Sequence, residues 1–94
     1  DKRELLVGWL KECATGEEGI RAGVPDGWIV GSKTGSGHFC TSNEIGVIWP
    51  PALPAVSNQQ PILLAVYFTR FEENAPVNKA VIAEVTRLVL NNLY

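Results

Sequence analysis

The sequence predicts an α+β fold in the order helix, strand, strand, strand, helix. Two observations carry this. Apolar residues recur at helical spacing near both ends of the chain, and between them lie three strand-like runs rich in Val, Ile and aromatics. Gly, Pro and Asn clusters separate those runs. At 94 residues, this is at most one small domain.

The elements follow in order. Residues 1–13, DKRELLVGWLKEC, read as a helix, because Leu5, Leu6, Trp9, Leu10 and Cys13 fall on one face. Gly16 is a candidate stop, and residues 20–27 form a connector punctuated by Pro25 and Asp26-Gly27. WIVGSKTG, residues 28–35, is a first strand. Residues 36–42 are a turn region opened by Gly37, and NEIGVIWPP is the second strand, so the two form a hairpin with a loop longer than two residues. The proline-rich stretch 51–61 is an exposed loop. ILLAVYFT, residues 62–69, is a third strand, apolar almost throughout, which asks for cover on both faces. Asn74 and Pro76 mark the entry to a last helix over 77–94, with Val77, Val81, Val85, Leu88 and Val89 as its buried stripe. Trp9, Trp28 and Trp49 read most simply as core.

Two terminal helices can cover one sheet face, so apolar sheet surface should stay open. The chain then either oligomerises or is one piece of a larger domain.

Composition narrows the function. The apolar fraction is 46% and the formal net charge is −2, with no Lys/Arg run, so nucleic acid is not an expected partner. No apolar run has the length of a membrane span, and the charged, amphipathic start is unlike a cleavable leader. Cys13, Cys40 and a lone His38 do not make a metal-ligand spacing, and no cofactor is expected.

Lys33, Thr34, Gly35 and Ser36 form the one constellation with chemical promise. Lys33 offers a fixed charge, and Thr34 and Ser36 offer hydroxyls. Gly35 and Gly37 let a ligand approach the backbone. The Ser36 N–H could donate to a developing oxyanion. Such a set suits a carboxylate beside a reacting carbonyl. The tripeptide alone is weak, since it arises by chance in about one or two chains per hundred of this length. A strand-end lysine is usually a solvated charge. Arg21, Arg70 and Lys79 are further cations. Lys79, in the first turns of the last helix, gains nothing from the helix dipole there. Glu72 and Glu73 are turn carboxylates with nothing to make either a general base. No S-x-x-K or G-x-S-x-G nucleophile spacing exists. The residues by themselves describe half of an anion-binding active site.

WIVGSKTGSGHFCTSNEIGVIWPP, then PILLAVYFTR and NKAVIAEVTRLVL, resembles the C-terminal portion of class A serine β-lactamases. The flanks match in order and spacing, and the resemblance covers essentially all of residues 1–94. It implies the C-terminal part of the α/β domain shared by β-lactamases and penicillin-binding peptidases. The N-terminal strands and the helical domain lie outside this chain. It implies β-lactam hydrolysis by serine acylation and deacylation in a periplasmic or secreted bacterial enzyme. The nucleophile and deacylating glutamate come from the N-terminal portion, the chain's expected partner besides the β-lactam.

By that resemblance Lys33 shapes the field and draws the substrate carboxylate, and Thr34 bonds it. Gly35 leaves room, Ser36 gives its backbone N–H to the oxyanion hole, and Gly37 lines the strand exit. The sequence departs from the pattern at Ser32, where many members carry aspartate. The family's extra carboxylate-binding cation is absent at two of its positions, Ser42 and Gly19; the resemblance offers Lys79, at the third, as a substitute, with an ordinary surface lysine as the other reading. Some relatives bond a cysteine near Cys40 to one by the nucleophile; a buried thiol in the hairpin is the other reading. The alternative functions are a penicillin-binding DD-peptidase segment and a non-catalytic, anion-binding sheet module.

Overall fold

The computed structural model describes residues 1–13, 15–51, 60–71 and 78–93. Its elements are α1 (Lys2–Lys11), α2 (Ile20–Gly23), β1 (Ile29–Ser36), β2 (Ser42–Trp49), β3 (Ile62–Phe68) and α3 (Ala80–Leu93). The strands form one antiparallel sheet in the order β1-β2-β3, with Ser36 opposite Ser42 and Ile48 opposite Ile62.

The α+β prediction holds element by element. Helix α1 is shorter than predicted because its ends are capped inside the predicted range. The Glu4 N–H donates to the Asp1 side chain at 2.8 Å. Arg21 Nη2 donates to the carbonyls of Leu10 and Lys11, at 3.1 Å each, closing the other end. Arg21 is thereby used in holding the connector to α1. The connector contains the short helix α2, which the sequence did not announce. The predicted helix entry at Asn74 and Pro76, the stripe residue Val77, the carboxylates Glu72 and Glu73, and most of the loop 51–61 lie outside the described residues. Helix α3 starts at Ala80, and the Lys79 carbonyl accepts from Ile82 and Ala83, so Lys79 precedes the helix rather than lying in its first turn.

Alternation assigns the faces. One face carries Val30, Ser32, Thr34 and Ser36 of β1, and, across the register, Ile48, Gly46, Glu44 and Ser42 of β2. The core lies on this face, where Val30, Ile48 and Val66 meet Ile20 of α2 and Ile82 and Leu90 of α3. Leu10 of α1 lies against Gly31 on the other face. The terminal helices therefore cover opposite faces, not the same one.

The stripe predicted for α3 is corrected. Its buried residues are Ile82, Ala83, Thr86 and Leu90, while Val85 and Leu88 are exposed. Both sets have helical spacing. The sheet and α2 select the first, partly because Gly23 of α2 lets the Ala83–Thr86 face come close. Helix α1 buries no residue, and Trp9 is 61% exposed, so Trp9 is not core among the described residues. Trp28 is half-buried against the core. Lys11 Nζ stacks over the Trp49 ring at 4.5 Å.

The expected open apolar surface is present. On the α1 face, Leu63 is 78% and Tyr67 75% exposed, and Ile45 is also exposed. A shallow groove beside them is lined by Leu10, Ile45, Val47, Leu63 and Ala65.

Candidate functional site

In a sheet ordered β1-β2-β3, β1 has one edge unpaired among the described residues. Just beyond β1, the Gly37 N–H donates to the Thr41 carbonyl at 3.0 Å, toward β2. Successive backbone groups of an extended strand point to opposite sides. The Ser36 N–H therefore points away from β2, to the open edge, and so do the N–H and carbonyl of Thr34. Lys33 Nζ donates to that Thr34 carbonyl at 2.8 Å. The Lys33 ammonium and the Ser36 N–H thus share the unpaired edge, a short distance apart along the strand.

The remaining predicted residues fall around this edge. A Cβ built on Gly35 meets no atom within 4 Å, so no neighbour among the described residues requires a glycine there. The open space beside it is free to take a ligand. A Cβ on Gly37 would make only an ordinary contact with Thr41 at 3.7 Å. The hairpin loop after Gly37 is pinned. Thr41 Oγ1 donates to the His38 carbonyl at 2.6 Å, and the Arg70 N–H donates to the Phe39 carbonyl at 2.8 Å. Phe39 and Cys40 hold left-handed φ values of 60° and 56°, which non-glycine residues adopt only when their surroundings enforce it.

Thr34 points its side chain to the core face, where its hydroxyl pairs with the Thr15 hydroxyl at 3.2 Å. Thr15 in turn bonds Cys13 Sγ at 3.2 Å. That bond is the main cause that holds the Cys13 thiol below its ordinary range; the Lys33 and Arg21 charges add less, against some desolvation. Cys13 and Cys40 are not bonded to each other. Lys79 is half-buried and lines a pocket with Thr15, Gly16, Glu17 and Glu18. It therefore reaches the same connector that touches Thr34, from the opposite end of the sequence. Among the described residues, no three His, Cys, Asp or Glu side chains converge as metal ligands would.

Sequence reading missed two residues here. Thr15 carried no motif. Glu44 did carry a signal, since period-2 alternation puts it on the same face as Gly46 and Ile48, the side that proves buried. Its carboxylate is 1% exposed, and the Ile20 N–H donates to Oε2 at 3.1 Å. Burial pushes its pKa above the ordinary carboxylate range, and the Ile20 bond and the Lys79 and Arg21 charges offset this only in part.

That shift sets a pH dependence. Between the ordinary and the raised pKa, the folded state keeps a proton that the unfolded chain has lost. Stability from this group is full at low pH and is lost as pH rises through the window. Glu44→Gln should abolish the loss, so urea midpoints from about pH 4 to about pH 8 should shift in the variant's favour as pH rises. Parallel profiles for the two proteins would show that Glu44 titrates as it does in the unfolded chain.

Residues 1–93 match the model of the Beta-lactamase enzyme family. A β-lactamase of Bacillus subtilis (strain 168) is 45% identical over 93 residues, covering 99% of this chain and 28% of that protein. One from Proteus vulgaris is 47% identical over 88 residues, covering 94% of this chain and 30% of that protein. Among solved structures, a halotolerant bacterial β-lactamase superposes with a TM-score of 0.89 at 44% identity, covering 99% of this chain and 34% of that one. The chain thus spans less than a third of the length of these curated relatives.

Proposed function

This chain belongs to the β-lactamase enzyme family, and from that membership we propose that it forms the carboxylate-binding side of a class A active site. The full-length protein then hydrolyses the β-lactam amide through a serine acyl-enzyme, with the serine and the deacylating base supplied by residues outside this chain. Under the same reading the enzyme works outside the bacterial cytoplasm, in the periplasm or secreted. The open apolar sheet face accepts the remainder of the same enzyme.

One observation carries the reading: the Lys33 ammonium and the Ser36 N–H lie on the same unpaired strand edge. A β-lactam places a carboxylate next to the carbonyl that reacts. Lys33 and the Thr34 hydroxyl hold the carboxylate, and the Ser36 N–H donates to the carbonyl oxygen as it gains charge. Electrostatic attraction draws the anion to the edge, while the aimed N–H stabilises the oxyanion. The empty space at Gly35 takes the ring system.

Lys79 supplies the second cation. A side chain at Gly19 would have to displace the Glu44 carboxylate, whose Oε1 lies 1.9 Å from where its Cβ would stand. Turnover of a chromogenic β-lactam by the full-length protein tests the reading. Accumulation of an acyl-enzyme without turnover would favour the penicillin-binding peptidase instead. With turnover established, Lys79→Ala should raise KM by about three- to tenfold and leave kcat within about twofold, the result of losing one partly solvated charge contact. An unchanged KM would remove Lys79 from the site.

A further inference from the structure

Glu44 is the one buried carboxylate among the described residues, and the proposed chemistry gives it no part. It lies on β2 directly across from Thr34, on the same face. The connector wraps it. The Ile20 N–H donates to Oε2 at 3.1 Å, and a Cβ on Gly19 would strike Oε1 at 1.9 Å. The space a Cβ on Gly16 would fill is bounded by Glu44 Oε2 at 3.3 Å, Ser32 Oγ at 3.2 Å and Thr34 Cγ2 at 3.3 Å. Gly16 and Gly19 therefore let the backbone close directly onto the carboxylate. Next to Gly16 stands Thr15, whose hydroxyl pairs with that of Thr34.

Desolvating a carboxylate is costly. Here it is only partly repaid: among the described residues, Glu44 Oε1 and Ser32 Oγ have no hydrogen-bond partner. Burying such a group to 1% exposure is weak evidence that it stabilises the fold. We propose that Glu44 is a positioning residue for the anion site: it fastens the 15–20 connector to β1 from beneath, so that Thr15 holds the Thr34 hydroxyl in the orientation that meets the substrate carboxylate. Its action is by shape and hydrogen bonding, through Ile20 and Thr15, and it touches no substrate. The charges that face it from the packed elements are Lys79, ahead of α3, and Arg21, on α2.

The role in substrate binding rests on the β-lactamase reading; the fastening of the connector does not. The experiment separates them. In the full-length protein, Glu44→Ala, Glu44→Gln, Thr15→Val and the Glu44→Ala/Thr15→Val pair are assayed with a chromogenic β-lactam. In parallel, amide hydrogen exchange is followed in residues 15–20. Glu44→Ala and Thr15→Val should each raise KM about five- to tenfold with kcat within about twofold, the scale of one lost hydrogen bond. The double variant should be no worse than either single one, because both break the same link. Glu44→Gln keeps the acceptor for Ile20 and should restore KM to within about twofold of wild type. Connector amides should exchange faster in Glu44→Ala and not in Glu44→Gln. Should Glu44→Ala fail to fold, Glu44→Asp, a methylene too short to reach Ile20, carries the same expectations. Additive effects, an unchanged KM in Glu44→Ala, or Glu44→Gln as impaired as Glu44→Ala would each overturn the proposal. A wild-type protein without turnover would sink the β-lactamase reading, and the exchange rates alone would then decide whether Glu44 fastens the connector.

Discussion

Lys33→Ala in the full-length protein is expected to lower kcat/KM for a β-lactam by about 100- to 1,000-fold, the cost of about 3–4 kcal/mol of lost charged contact. The size follows from where the lysine lies. It is anchored on the Thr34 carbonyl at 2.8 Å, on the strand edge that also bears the Ser36 N–H. Under the proposed function, an ammonium held there would act on a substrate anion and on the charge that develops beside it. Its removal should therefore lower kcat as well as raise KM, unlike the loss of Lys79. The salt dependence of kcat/KM should flatten in the variant, because part of the attraction that ions screen has gone. Steady-state kinetics at low and high salt make the check. A loss of less than about threefold would mean that Lys33 is a solvated surface charge.

Gly23→Ala should be the most damaging small substitution for stability. A Cβ on Gly23 would lie 2.2 Å from the Ala83 carbonyl oxygen and 2.7 Å from Thr86 Cβ. Both belong to α3, at the face that meets the core, and neither is the end of a flexible side chain. Thr86 is locked further, since its hydroxyl donates to the Ile82 carbonyl at 2.8 Å. Two effects oppose each other. Alanine is a better helix former than glycine by about 0.5–1 kcal/mol. Separating α2 from α3 to admit the methyl costs about 3 kcal/mol, because it loosens Ile20, Ile82 and Leu90 together. The clash wins, for a net loss of about 2 kcal/mol, read as a lower urea midpoint at unchanged m-value. A midpoint equal to or above wild type would mean that α2 and α3 are not packed as described.

Element order was legible in the sequence because it depends on local properties. Strand β1 could be placed within a residue from its apolar flanks and its Gly-rich exit. The Lys33–Gly37 constellation could be picked out because residue type and spacing are themselves sequence facts. The stripe of α3 was not legible, since two sets of residues had the right period and only packing against α2 and the sheet chose Ile82, Ala83, Thr86 and Leu90. Nor could the sequence show that the terminal helices take opposite faces of the sheet.

The candidate site divides the same way. By itself the sequence determined which groups are present: a lysine, two hydroxyls and bare backbone at the end of a strand. Only the tertiary structure decided which edge they face, that Thr15 holds Thr34, that Lys79 reaches the same connector, and that Glu44 is buried beneath them. Those are contacts between residues 19 or more positions apart, set by strand register and by how closely glycine lets two backbones approach. Periodicity along a chain encodes which way a side chain points, but not what it will meet there.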